Sequence, residues 1–180
     1  MATIGENIIA QSKTAPFFKV ANPDEVGITA PENRKGDALR TWVGSLSGFQ
    51  KEALVRSAKT GDTWRLVSDE GDYLNGYDAA PCPLSFLSVG MIASFMNEIE
   101  ALAKIEGIAI RKLRLTQNNY YTMQGSMMKR TMIGGAEDID LTVEIDCDLK
   151  GDQLMEFLIN ATYASPLNGL MRGQIPICLN

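Results

Sequence analysis

The stretch Asp69–Ile108 decides the fold, and it reads DEGDYLNGYDAAPCPLSFLSVGMIASFMNEIEALAKIEGI. An acidic, turn-rich segment leads to Pro83, which suits the first turn of a helix because its missing N–H loses no hydrogen bond there. The next residues are apolar on nearly every face, and the later ones keep a single apolar stripe until Gly107, a favourable C′ residue. We therefore predict a helix from Pro83 to Glu106 that begins inside the molecule, with Cys82 at or next to its N-cap.

Composition and charge restrict the class of protein. The chain has 180 residues, of which 45% are hydrophobic and 22% charged, as expected for one globular domain with a core. The net charge of -5 and the scattered Lys and Arg argue against a nucleic-acid partner. No signal-like start and no run of about eighteen apolar residues is present, which predicts a cytoplasmic protein without a membrane partner.

The chain contains no histidine. This excludes a Ser-His-Asp or Cys-His triad within one chain, and any zinc or iron site that needs an imidazole. The three cysteines, Cys82, Cys147 and Cys178, are odd in number and widely spaced, so we expect free thiols rather than a disulfide frame. We predict no metal and no cofactor.

The segments before the helix divide into an arm and a hairpin. Residues 1–41 hold three prolines and only short apolar groups, and we predict an N-terminal arm without a core of its own, followed by one domain over 42–180. Two β-prone runs between Phe49 and Val67 flank AKTGD and predict a hairpin, with Arg56 near the end of its first strand.

The segments after the helix predict three strands, a helix, a short second helix and a terminal strand. The strands fall at 108–117, 120–132 and 138–148, and the last alternates strictly between apolar and mostly acidic residues. We interpret the acidic residues as a solvated face rather than a calcium site, and the methionines of 120–132 as an apolar strand face rather than metal ligands. This order of strands and helices predicts an α+β fold.

Two strings carry a resemblance to a known family. VRSAKTGDTWRLVSDEGDYLNGYDAAPCPLSFLSVGMIASF and ASPLNGLMRGQIPI resemble, in order and spacing, the motifs of the OsmC/Ohr family, the osmotically inducible and organic-hydroperoxide-resistance proteins. The resemblance spans roughly residues 46–177. It implies an OsmC-like fold, in which antiparallel sheets wrap around a long buried central helix. It also implies an intertwined homodimer with two sites at the interface.

The resemblance also places the family's functional residues on this chain. The peroxidatic cysteine of the family stands eleven positions after the helix-start proline, and that position is Ser94 here. The resolving cysteine precedes the later proline, and that position is Ser165. The family's acidic residue falls near Leu84 or Ser85, and only the strand arginine has a counterpart, Arg56. Peroxide reduction needs a thiolate and a second thiol, so thiol-dependent hydroperoxide reduction is predicted to be lost.

Two classes of function remain open. In the first, the protein holds a small hydrophobic ligand at the dimer interface, with Arg56, Ser94 and Ser165 as polar contacts; a heterodimer with a cysteine-bearing relative is a variant of this reading. In the second, it is an enzyme of altered chemistry. That enzyme is either a one-cysteine peroxidase acting through Cys82, about 18 Å along the helix from Ser94, or catalyses an acyl or carbonyl transformation with Ser94 and Arg56. A dimer with only a structural role is a third reading.

Overall fold

The computed structural model describes residues 5–32 and 36–173. The chain forms two compact units, Met1–Phe86 and Leu87–Asn180. The predicted terminal strand at 175–180, with Cys178, lies outside the described residues.

The elements of the N-terminal unit are α1 (Ile8–Gln11), β1 (Phe17–Lys19), a 3₁₀ turn (Pro23–Val26), β2 (Leu39–Ser47), β3 (Gln50–Ser57), β4 (Thr63–Ser68) and a 3₁₀ turn (Asp72–Leu74). The four strands form one antiparallel sheet with the order β1-β4-β3-β2. The predicted hairpin is confirmed as β3 and β4. The boundary predicted after residue 41 falls inside β2, because the residues from Leu39 onward already pair with β3.

The two faces of this sheet differ because successive side chains along a strand point to opposite sides. One face carries arm residues 23–29 and is called the arm face. The other is called the open face, and it adjoins the start of the long helix at Pro83 and Phe86. Side chains of the arm face include Phe18, Arg40, Trp42, Leu54, Arg56 and Arg65; those of the open face include Thr41, Val43, Ala53, Val55 and Leu66.

A buried polar network ties the start of the arm to this sheet. Gln50 is fully buried and donates from Nε2 to Asn7 Oδ1 at 2.8 Å and to Asp69 Oδ2 at 3.2 Å. The Asp69 carboxylate also accepts from the backbone N–H groups of Glu70, Tyr77 and Ala79. The acidic loop that follows β4 is therefore held by one buried carboxylate.

The C-terminal unit contains most of the long helix, and the predicted helix bounds are confirmed as α2 (Pro83–Glu106). Gly107 follows α2 with φ +70°, as a C′ glycine does. The remaining elements are β5 (Ile110–Asn118), β6 (Tyr121–Gln124), β7 (Ile133–Ala136), β8 (Asp140–Cys147), α3 (Gly151–Ala164) and α4 (Pro166–Arg172). A two-stranded sheet of β5 and β8 packs with α3 around a core formed by Phe95, Ile99, Ala103, Phe157 and Ala161.

The single strand predicted for 120–132 is wrong. Its first residues form β6, which pairs with β7, a strand that the prediction did not contain. Between them Gly125 has φ +97° and a Cβ there would lie 2.0 Å from the Thr131 carbonyl oxygen, so the backbone leaves the strand at this glycine. Met127 and Met128 are exposed in the connecting loop and do not form a strand face.

One stripe of α2 is buried and another is exposed. Met91, Phe95, Ile99 and Ala103 follow each other at four-residue spacing and are all buried, which is the pattern of a core helix. By length and composition alone α2 also qualifies as a membrane span. On the first half of the helix, however, Val89 is 65% exposed in the single chain. The predicted burial of that half is therefore incomplete within one chain.

Candidate functional site

The two serines at the predicted thiol positions meet in the C-terminal unit. Ser94 lies in the middle of α2, and Ser165 is the residue between α3 and α4. Their hydroxyl oxygens are 2.9 Å apart, a hydrogen-bond distance. Ser165 is 1% exposed and Ser94 is half-buried, so the pair is largely shielded from water.

Local sequence explains how these side chains come together. Pro166 occupies the first turn of α4, and the Ser165 hydroxyl oxygen caps this helix by accepting from the Asn168 N–H at 3.3 Å. Gly90 lies one turn before Ser94 on the same face of α2, and the Leu167 side chain packs against its bare backbone. The glycine lets α4 approach α2 closely enough for the two hydroxyl groups to touch.

Asn168 is a residue of this site that the sequence analysis missed. Its side-chain Nδ2 is buried and has no hydrogen-bond partner among residues 5–32 and 36–173. A buried amide without an acceptor costs free energy, so an acceptor from a bound molecule or a second chain would stabilise it. The available signal was its position, three residues after the Ser165 that caps α4.

The chemistry of the pair is that of a hydrogen-bond donor. Two hydroxyl groups carry two protons, and the bond between Ser94 and Ser165 uses one of them. The other is available to a carbonyl, carboxylate or hydroxyl oxygen of a ligand. Neither side chain can form a sulfenic acid or a disulfide, the steps through which thiol peroxidases work.

Arg56 is held by the arm. Its Nη1 donates to the carbonyl oxygens of Pro23 at 3.1 Å and Ile28 at 2.9 Å, and its Nη2 pairs with Asp24 at 2.7 Å. The side chain is 14% exposed. Of the three guanidinium nitrogens of Arg56, only the buried Nε has no hydrogen-bond partner in the described part of the chain.

The direction of Arg56 bears on its predicted role. Arg56 points to the arm face, whereas its neighbour Val55 points to the open face with Pro83 and Phe86 of α2. The start of α2 and the Arg56 guanidinium therefore lie on opposite sides of the sheet. A pocket that Arg56 shares with the serines stays a prediction, and the contacts in the structure assign its guanidinium to the arm.

The cysteines occupy two different environments. Cys82 directly precedes α2, is half-buried, and has its Sγ 3.3 Å from the Ser85 hydroxyl oxygen. Cys147 is 1% exposed at the end of β8, so it is a core residue. No disulfide joins these two thiols.

The acidic side chains of β8 lie against basic side chains of β5. Arg111 donates to Asp146 and Asp148, each at 2.6 Å, and Lys112 lies 3.4 Å from Glu144. The hydrogen bond from Arg111 lowers the pKa of Asp146 below its usual value, and the charges of Arg111, Lys150 and Lys112 add to this effect. In the described ranges no three His, Cys, Asp or Glu side chains are grouped so as to hold a metal ion.

The fold was compared with known proteins. No family model and no curated protein sequence matches the chain. An OsmC-like protein from Mycoplasma pneumoniae superposes with a TM-score of 0.55 at 16% identity, over 77% of this chain and 89% of that one. An organic hydroperoxide resistance protein OsmC from Legionella pneumophila gives 0.52 at 16% identity, over 76% and 90%.

An OsmC-like hydroperoxide resistance protein from Jannaschia sp. CCS1 gives a TM-score of 0.50 at 17% identity, over 78% of this chain and 90% of that one. At these identities the likeness concerns the fold. It agrees with the order of strands and helices and with the long helix α2. The fold predicted from the sequence is confirmed: the chain has the α+β fold of the OsmC-like proteins.

Proposed function

We propose that this protein is a binding protein with an OsmC-like fold, which holds a small apolar molecule through a carbonyl or similar oxygen at Ser94 and Ser165. The observation that carries this proposal is the 2.9 Å contact between the two hydroxyl oxygens. The positions that resemble the family's thiol pair are brought together, yet they carry only hydroxyl groups. This geometry can bind an oxygen atom of a ligand. The site lacks the thiols that would reduce a hydroperoxide.

The unsatisfied Asn168 amide supports a ligand at this place. Its buried Nδ2 carries two N–H donors, and its backbone N–H donates to the Ser165 hydroxyl oxygen. Together with the remaining hydroxyl proton, the side chains of Ser94, Ser165 and Asn168 offer donors and carry no charge. A neutral acceptor on an apolar body suits such a site better than a free anion does.

A second copy of the chain is the proposed partner that completes the pocket. The open face of the sheet carries an apolar groove of about 390 Å³, which the start of α2 also lines. Leu84, Phe86 and Val89 of α2 are exposed in the single chain. Apolar surface of this kind gains about 25 cal/mol per Å² when it is removed from water. A homodimer that covers the groove and these three side chains would bury both.

The experiment is a comparison of two probes of similar shape, acetophenone and ethylbenzene, by calorimetric titration. Acetophenone has a carbonyl oxygen beside the ring and ethylbenzene has none. We expect acetophenone to bind the wild-type protein more tightly. In the double variant Ser94→Ala, Ser165→Ala its affinity should fall about fivefold, the effect of losing one net hydrogen bond.

Two controls make this result specific. Ethylbenzene should bind the double variant as it binds the wild type, because it has no oxygen to lose a contact. Thr142→Val removes an exposed hydroxyl group from β8 and should change neither affinity. Equal binding of acetophenone to the wild type and the serine double variant would contradict the proposal.

A further inference from the structure

A second cavity lies in the N-terminal unit, on the arm face of the sheet. It has a volume of about 580 Å³, within the range of small-molecule sites. Its walls are the arm residues 26–29 and side chains of all four strands. Val20, Val26, Ile28 and Leu54 give it an apolar lining, so it has room and surface for a ring or a branched chain.

The charged groups at this cavity do not cancel. Arg65 forms an ion pair with Glu52 and lies 5.6 Å from the centre of the Phe18 ring, so its charge is compensated within the wall. Arg40 also lines the cavity, and its one side-chain contact in the described part of the chain is a hydrogen bond from Nη1 to the Thr29 hydroxyl. One positive charge is therefore left without a carboxylate, in a chain whose net charge is -5.

The aromatic wall is held in place by a glycine. Trp42 lines the cavity, and a Cβ on Gly44 would lie 2.5 Å from the Trp42 ring. The indole therefore lies over the bare backbone of Gly44, two residues along the same face of β2. Gly44 does not have a positive φ, so its backbone conformation does not require glycine. A side chain at this position would instead occupy the space that the Trp42 indole fills.

We propose that this cavity binds a small organic carboxylate with an aromatic or branched apolar body. Arg40 would donate a charge-assisted hydrogen bond to the carboxylate, while Trp42 and the aliphatic side chains would surround the body. A single uncompensated guanidinium favours a monoanion over a polyphosphate. All of these residues belong to the N-terminal unit, and the inference does not depend on the serine pair or on the function proposed for it.

The test is calorimetric titration of the full-length protein with phenylbutyrate and with its neutral counterpart phenylbutyramide. We expect phenylbutyrate to bind about tenfold more tightly than the amide. Arg40→Gln should weaken phenylbutyrate binding about tenfold and leave the amide unchanged. Gly44→Ala should weaken both probes, because it displaces the indole without changing any charge.

Arg114→Gln is the matched control, since Arg114 is an exposed arginine on β5 in the other unit. It should leave both affinities unchanged. Circular dichroism and the urea midpoint show whether each variant is folded. The proposal is overturned if phenylbutyrate does not bind at millimolar concentration. It is also overturned if the acid and amide bind equally, or if neither Arg40→Gln nor Gly44→Ala weakens binding.

Discussion

A hydroxyl group and a thiol differ little in size and greatly in chemistry. At Ser94 and Ser165 the structure keeps two such groups 2.9 Å apart, in a place largely shielded from water. A thiol here could ionise near neutral pH, whereas an alcohol cannot do so to a useful extent. Hydroxyl groups at these two positions can therefore make the contacts that thiols would make, but they cannot carry out thiol chemistry.

This geometry predicts that two cysteines at the same positions would form a disulfide. A disulfide requires sulfur atoms about 2.05 Å apart, and the two hydroxyl oxygens at these positions already lie 2.9 Å apart. In Ser94→Cys, Ser165→Cys we expect mild oxidation to remove two titratable thiols, measured with Ellman's reagent after denaturation. Each single variant is the control and should keep its added thiol. Persistence of both added thiols in the double variant would show that the two positions do not meet.

Asp69 is the residue whose loss should most weaken the N-terminal unit. Asp69→Ala would remove one of the two acceptors of the buried Gln50 amide and the acceptor of the N–H groups of Tyr77 and Ala79. We expect the free energy of unfolding to fall by about 3 kcal/mol, measured by urea denaturation. Asp72→Ala, on the same loop but exposed, should change it by less than about 0.5 kcal/mol. Equal effects of the two substitutions would refute the role given to Asp69.

The sequence predicted some of these residue roles and not others. Ser94 and Ser165 could be paired only through the family resemblance, in which Pro83 and Pro166 fix the count along the chain, and their hydroxyl groups do meet. The direction of the Arg56 side chain could not be predicted, because it depends on which face of the sheet the arm covers. That is decided by contacts between segments more than twenty-five residues apart. Asn168 was missed because an orphaned amide is visible only once its surroundings are buried.

At the scale of elements, the strand pair β5–β8 makes a prediction about pH. Because its hydrogen bond with Arg111 lowers the folded-state pKa of Asp146, the ion pair stabilises the fold above the carboxyl group's ordinary pKa. That contribution is lost as the pH falls through the lowered pKa. In Arg111→Gln we expect the pKa of Asp146 to rise toward its ordinary value, measured by NMR titration of the carboxyl carbon.

Arg114→Gln is the control for this titration, because Arg114 is not among the groups that shift Asp146. It should leave the pKa of Asp146 where it is in the wild type. An unchanged pKa in Arg111→Gln would mean that the contact with Asp146 does not persist in solution.

Elements with a strong local signal were predicted well. The strict alternation of β8 and the proline and glycine that bound α2 are properties of the chain itself, and both elements lie where they were expected. The loop between β6 and β7 was missed because its methionines are apolar and suggested a continuous strand. The signal that decided the structure was Gly125, whose positive φ ends β6. A glycine within an apolar run does not by itself indicate a turn.

At the scale of the whole molecule, the exposed stripe on α2 should be the contact between two copies. Val89 is 65% exposed in the single chain, although it lies in the most apolar part of the helix. We expect Val89→Glu to convert a dimer into a monomer, measured by light scattering coupled to size exclusion, because the buried charge would have no partner. Ile105→Glu, near the end of α2 and 80% exposed, should leave the dimer intact. A wild-type protein that is monomeric at micromolar concentration would contradict the proposed dimer.

The most direct test of the central claim is the consumption of cumene hydroperoxide in the presence of a dithiol, by the wild-type protein and by Cys82→Ser. Since hydroxyl groups occupy both thiol positions, we expect no turnover above the buffer control in either protein. Turnover by the wild type that disappears in Cys82→Ser would contradict the account, because it would show that the thiol chemistry had moved to Cys82.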